Sequence, residues 1–220
     1  MKKPLSPMQK ALNLWAIVLI LWSVYRTKLA LPEWFDEFVA KPLVFVLPVY
    51  FYIRNFELKP FFESIYLTRA NLFNNVKIAL GIGVLLTGSA VAANYFRHGT
   101  FSFSNTLFNV GAQNLPIIVI ISLATAISEE LLSRGFLLKR LYEDSGNIYA
   151  SSFLSSILFL VLHIPILFTN IQLQGSLILL FLMTDFILSM VNSFLFLDGK
   201  NLISPILVHT FYNLAIILYV

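Results

Sequence analysis

Glu129, Glu130, Arg134, His163 and His209 stand inside or at the ends of long apolar runs. A charged side chain at the centre of a bilayer helix costs about 2.5–3.5 kcal/mol on insertion scales. Scattered over lipid-facing surfaces these groups would oppose insertion; gathered inside a bundle they can satisfy one another. Glu130 and Arg134 are four residues apart and share a helix face, which suits an ion pair. Glu129 is turned by about 100° from Glu130 and is free to face a cavity. His209 and Asn213 also share a face, as do Phe159 and His163. A carboxylate and an imidazole together can activate water as base and acid. A second imidazole and an amide can donate hydrogen bonds to an oxyanion. That chemistry needs no cofactor. Alternatively, Glu129, His163 and His209 could ligate a divalent metal such as Zn2+, which would acidify a bound water. The HExxH pattern of the common zinc proteases is absent.

The elements that must position these groups are membrane helices. The chain has 220 residues, 58% of them hydrophobic and 12% charged, with a mean hydropathy of +0.81. Soluble domains carry about a quarter charged residues. The expected fold is all-α: a single membrane domain over 1–220, a polytopic transmembrane helical bundle of about seven spans. The apolar runs are 11–25, 42–53, 76–96, 115–136, 149–168, 175–197 and 202–220. The 42–53 run is short and holds Pro42 and Pro48; if it does not cross, six spans remain. The 54–75 stretch reads as a polar connector and 97–114 as a polar loop. Ser145-Gly146-Asn147 and Asp198-Gly199-Lys200 read as turns. Glu129 and His163 each lie 17 residues from Gly146, so antiparallel fourth and fifth helices place them at similar depth. Gly81, Gly83 and Gly88 on the third run suit close helix packing. Asp185, on the sixth run, suits a lysine pair or a helix contact, with a catalytic part the lesser reading.

Charge and composition exclude several classes. The net charge of +4 is spread among apolar segments, so no nucleic-acid surface is expected. There is no Cys, which excludes disulfides and thiolate metal sites. Lys2, Lys3 and Lys10 precede the first apolar run without a small-residue cleavage site before Arg26, so that run reads as a retained span. Basic residues favour the side holding the N-terminus, the 54–77 connector, the 134–140 turn and Lys200. This predicts a multi-pass cell-membrane protein with a cytosolic N-terminus.

Glu129-Glu130-Leu-Leu-Ser-Arg134 reads EExxxR, Phe159-Leu-Val-Leu-His163 reads FxxxH, and His209-Thr-Phe-Tyr-Asn213 reads HxxxN. Their order on three late helices resembles the CPBP family of intramembrane proteases. That family includes type II CAAX prenyl endopeptidases and bacteriocin-immunity proteins of the abortive-infection (Abi) type. The resemblance covers residues 115–220, the expected catalytic core. It implies peptide-bond hydrolysis of a membrane-embedded or lipid-associated peptide or protein, within the lipid bilayer. By carry-over, Glu129 and His163 activate water, and His209 and Asn213 stabilise the oxyanion. Glu130, Arg134 and Phe159 support them. The resemblance leaves metallo- and glutamate-dependent mechanisms open. A non-catalytic bacteriocin-immunity or scaffold protein is the alternative, with the motif residues structural. A proton- or ion-coupled transporter is a third reading, made less attractive by the lack of an internal repeat.

Overall fold

A computed structural model describes residues 5–29, 31–99, 112–169 and 176–219. Lys2, Lys3, residues 100–111 of the 97–114 loop and the expected start of the sixth run at Gly175 lie outside the described residues. Seven long helical segments follow one another among the described residues, without a strand. They are α1 (Pro7–Lys28), α2 (33–57), α3 (Leu72–His98), α4 (Leu115–Ser145), α5 (Ile148–Thr169), α6 (Ser176–Gly199) and α7 (Ile203–Tyr219). Segments within α1, α3, α4, α5 and α6 are long and apolar enough to cross a membrane; Ile203–Ile217 is apolar but shorter. The protein is a polytopic helical bundle.

The second segment departs most from expectation. The structure continues the helix from residue 33 to 57, through both prolines and into the expected connector. It widens in three places, with Lys41 N–H donating to Asp36 O, Leu47 N–H to Pro42 O and Leu58 N–H to Ile53 O. These five-residue steps fit Pro42 and Pro48, which lack the N–H of a regular turn. Asp36, Glu37 and Lys41 in this stretch are buried. Asp36 is tied to α1 by Tyr25 and Arg26. Trp22 of α1 packs edge-on against Phe45 at 5.0 Å between ring centres. The rest of the 54–75 stretch holds one helical turn, Phe61–Ser64, and α3 begins four residues earlier than the apolar run.

The turns that set helix register are secured locally. Gly146 adopts φ +65 and returns its N–H to Tyr142 O at 2.9 Å, ending α4. The Asn147 side chain then accepts the Ala150 N–H at 3.0 Å to start α5. At the other turn the left-handed residue is Lys200, at φ +44, while Gly199 remains in the helix. Asn201 donates to Thr68 O and Ala70 O at 2.9 and 3.0 Å, and Leu202 N–H donates to Tyr66 O at 3.0 Å. These bonds fix the entry of α7 and therefore the depth of His209. On the outer side α7 packs on α3. Of the three α3 glycines, only Gly83 meets the partner: a Cβ there would lie 2.6 Å from the Phe211 ring. A Cβ at Gly81 or Gly88 would meet nothing within 4 Å among the described residues.

Candidate active site

The motif begins where α4 changes pitch. Leu115–Glu130 is regular, and Leu131–Leu138 is wider. Local widenings of an α-helix recur at functional sites. Arg134 still stacks over Glu130, its NH1 3.0 Å from Oε1. Gly135 lets the loop before α3 approach: a Cβ would stand 3.1 Å from Ile65 Cβ. Residues 128–141 are buried without interruption, so charged groups here must find partners within the protein.

Glu129 faces a cavity of about 220 Å³ between α1, α2, α4, α5, α6 and α7. His163, His209 and Asn213 line the same cavity, with Phe159, Phe45, Trp22 and Phe181 among its apolar walls. The structure thus brings the candidate residues of three separate motifs to one space. Glu129 Oε1 accepts from Lys41 Nζ at 2.8 Å, and Lys41 also reaches Glu37 Oε1 at 2.7 Å. Thr125 Oγ1 donates to Glu37 Oε2 at 2.7 Å. Glu129 Oε2 is buried, has no protein hydrogen-bond partner among the described residues, and lies 3.7 Å from both His163 Nε2 and His209 Nε2. Asn213 is less committed: its Nδ2 is 3.5 Å from Ser122 O.

Both imidazoles are oriented from behind. His163 Nδ1 lies 2.9 Å from Phe159 O, a carbonyl that can only accept. His209 Nδ1 lies 2.7 Å from Glu130 Oε1. That oxygen also accepts from Arg134 and, at 3.0 Å, from Asn192 Nδ2. Nδ1 is therefore the donor in both rings, and a neutral ring presents the lone pair of Nε2 to the cavity. Three acceptor atoms then converge at 3.7 Å on one small volume. A water at an ordinary distance of about 2.8 Å can bridge separations of this size.

Metal ligation by Glu129, His163 and His209 was the alternative reading. The tautomers suit it, since metal-binding histidines donate their second nitrogen to an acceptor. Tetrahedral ligands at about 2.0–2.1 Å from zinc lie about 3.4 Å from one another, and the two Oε2–Nε2 separations here are 3.7 Å. Among the described residues no three His, Asp or Glu side chains are gathered as a metal-ligand set.

Behind the cavity lies a sealed layer. Glu130 and Arg134 have no exposed surface. Phe159 contributes twice: its carbonyl holds His163, and its ring lies 4.6 Å from the Arg134 guanidinium carbon. Three participants were not assigned to the site from sequence. Lys41 and Glu37 lie just before the expected 42–53 run; their i, i+4 spacing beside an apolar run was the available signal. Among the described residues Asp185 pairs with no lysine. It accepts from Tyr212 OH at 2.7 Å, and its Oδ2 lies 3.8 Å from His163 Nε2.

No curated protein and no solved structure matches this chain. Residues 110–215 match the family described as type II CAAX prenyl endopeptidase Rce1-like. The matched stretch contains Glu129, Glu130, Arg134, His163, His209 and Asn213, and leaves out α1 to α3 with Lys41. Over those residues, 106 of the chain's 220, the chain is similar to the Rce1-like type II CAAX prenyl endopeptidases of the CPBP family.

Proposed function

We propose that this protein is an intramembrane endopeptidase that hydrolyses a peptide bond of a membrane-embedded or lipid-associated peptide or protein, using water activated by Glu129 and His163. One observation carries the reading. The Oε2 atom of Glu129 has no protein hydrogen-bond partner among the described residues and faces two imidazole Nε2 atoms at 3.7 Å in a cavity of about 220 Å³. A water hydrogen-bonded to Oε2 and His163 is placed for deprotonation as it attacks a carbonyl carbon. The oxyanion that forms takes hydrogen bonds from Asn213 and His209. Glu130 on Nδ1 balances the charge when His209 carries both protons. Glu129 then returns the proton to the departing nitrogen. Lys41 holds Oε1, which leaves Oε2 to face the imidazoles.

The test uses the purified protein in lipid vesicles and an internally quenched farnesylated peptide ending in a CAAX sequence. Cleavage, located by mass spectrometry and lost in Glu129→Ala and His163→Ala variants that still insert, supports the proposal. Variants that insert normally and cleave like wild type defeat it. Elemental analysis and chelator treatment of the same preparation address the metal. Stoichiometric zinc lost together with activity would overturn the metal-free mechanism. We also place the N-terminus in the cytosol. The chain lacks Cys, so a single Ser6→Cys variant, labelled from the cytosolic face alone, reads this out; labelling from the opposite face contradicts it.

A further inference from the structure

We propose that Asp185 receives the amine side of the scissile bond, accepting a hydrogen bond from the scissile N–H and stabilising the leaving amine. This rests on the endopeptidase reading and adds a catalytic residue to it. Asp185 is only 3% exposed and lines the same cavity as Glu129 and His163. Tyr212 OH fixes one of its oxygens, Oδ1, at 2.7 Å, and Thr184 Oγ1 lies 2.9 Å from that hydroxyl. The other oxygen, Oδ2, is buried without a protein hydrogen-bond partner among the described residues. A carboxylate can accept about four hydrogen bonds, so Oδ2 is a free acceptor held in place by its neighbour.

Its position makes that acceptor useful. His163 Nε2 lies 3.7 Å from Glu129 Oε2 and 3.8 Å from Asp185 Oδ2. The two free carboxylate oxygens therefore flank one imidazole nitrogen. Water held at Glu129 attacks the carbonyl carbon, and the amide nitrogen of that bond reaches towards Asp185. In the substrate this nitrogen carries an N–H, which a desolvated cavity must satisfy. In the reaction the water oxygen bonds to the carbonyl carbon and the C–N bond breaks. One water proton passes to Glu129 and from there to the nitrogen; the other stays on the new carboxylic acid. Asp185 supplies no net proton. It accepts from the nitrogen as that atom gains one, where a negative charge stabilises the product amine.

The two carboxylates thus divide the reaction. Glu129 serves the water and Asp185 serves the leaving group. A purely structural Asp185, present only to satisfy Tyr212, predicts something different. The two accounts separate on substrates that differ only in whether the leaving atom carries a hydrogen.

The test compares the quenched farnesylated CAAX peptide with the same molecule whose scissile amide is replaced by an ester. Asp185→Asn keeps the shape and the Tyr212 contact but turns a donor towards the leaving nitrogen. We expect peptide turnover to fall by about 100-fold, in the range for loss of one transition-state hydrogen bond, while ester turnover stays within about threefold of wild type. Asp185→Glu restores part of the peptide turnover. Equal losses on both substrates, or wild-type peptide turnover in Asp185→Asn, overturn the assignment. If Asp185→Asn does not insert, Tyr212→Phe gives the reading: freeing the carboxylate lowers the peptide-to-ester ratio, and an unchanged ratio overturns the assignment. Wild-type protein that cleaves neither substrate defeats the endopeptidase reading itself.

Discussion

Arg140 follows Glu129 by eleven residues on α4, and both are buried, yet their surroundings are completed in opposite ways. Arg140 uses every donor. Its Nε and NH2 grip Glu57 at 3.0 and 2.7 Å, NH2 reaches Ser64 Oγ at 3.0 Å, and NH1 reaches Gly135 O at 2.9 Å. Lys139 adds a bond to Ser64 O at 3.0 Å. Around Glu129 the polar groups converge without closing. Glu129 Oε2 and Asp185 Oδ2 are buried acceptors with no protein hydrogen-bond partner among the described residues. A completed cluster holds segments together; here it clamps the 57–64 stretch to the end of α4. An uncompleted one is stable only because its surroundings hold it, and it offers acceptors to something that arrives. Charge and burial alone do not distinguish the two. The count of satisfied atoms does.

Substitutions can break this contrast in order of expected size. His163→Ala at the open cluster should lower turnover by about 10²–10⁴-fold, the usual range for a general acid–base group, with little change in unfolding temperature. Turnover assays beside thermal unfolding in detergent check both halves. Arg140→Ala should do the reverse, because it leaves Glu57 unpaired. We expect about 3 kcal/mol of lost stability, the lower end for broken buried pairs since Glu57 is partly exposed. Turnover per folded molecule should stay unchanged. Lys41→Met tests whether the unmatched N-terminal helices serve the site. Losing a charged hydrogen bond to Glu129 is worth about 1.5–3 kcal/mol. This corresponds to roughly a 10- to 150-fold fall in kcat, with KM little altered and partial recovery in Lys41→Arg. The smallest effect is a pH dependence of the closed cluster. Burial raises the Glu57 carboxyl, but the Arg140 hydrogen bonds and charge outweigh it and hold the group below its ordinary value of 4.5. A depressed carboxyl stabilises the fold fully above that value and loses its contribution as pH falls below it. The unfolding temperature should therefore drop below about pH 4.5, and less so in Glu57→Gln.

Much of this contrast was readable in the sequence, and the unread part has a physical reason. Apolar runs marked six of the seven helices closely, because lipid imposes length and hydropathy on a span. Spacing within helices gave Glu130–Arg134, and equal distances from Gly146 placed Glu129 level with His163. The apolar run of α2 starts only at Pro42, while the helix begins nine residues earlier, at residue 33. Its buried Glu37 and Lys41 fall outside that run and look like loop charges. The glycines of α3 show a related limit. Composition marks a stripe of small residues, but only contact with Phe211 distinguishes Gly83 from Gly81 and Gly88. Asp185 was visible as an intramembrane carboxylate, while its partners Tyr212 and His163 lie on other helices. Pairing between helices depends on rotation, which one sequence does not encode in any simple period.

The most direct test of the central claim is one preparation of Glu129→Gln, measured for both unfolding temperature and peptide turnover in lipid. The glutamine keeps an oxygen for Lys41 and the shape of the side chain but cannot take a proton from water. The account predicts a folded protein with an unfolding temperature close to wild type and turnover reduced at least about a thousandfold. A folded Glu129→Gln protein with turnover within tenfold of wild type would contradict it.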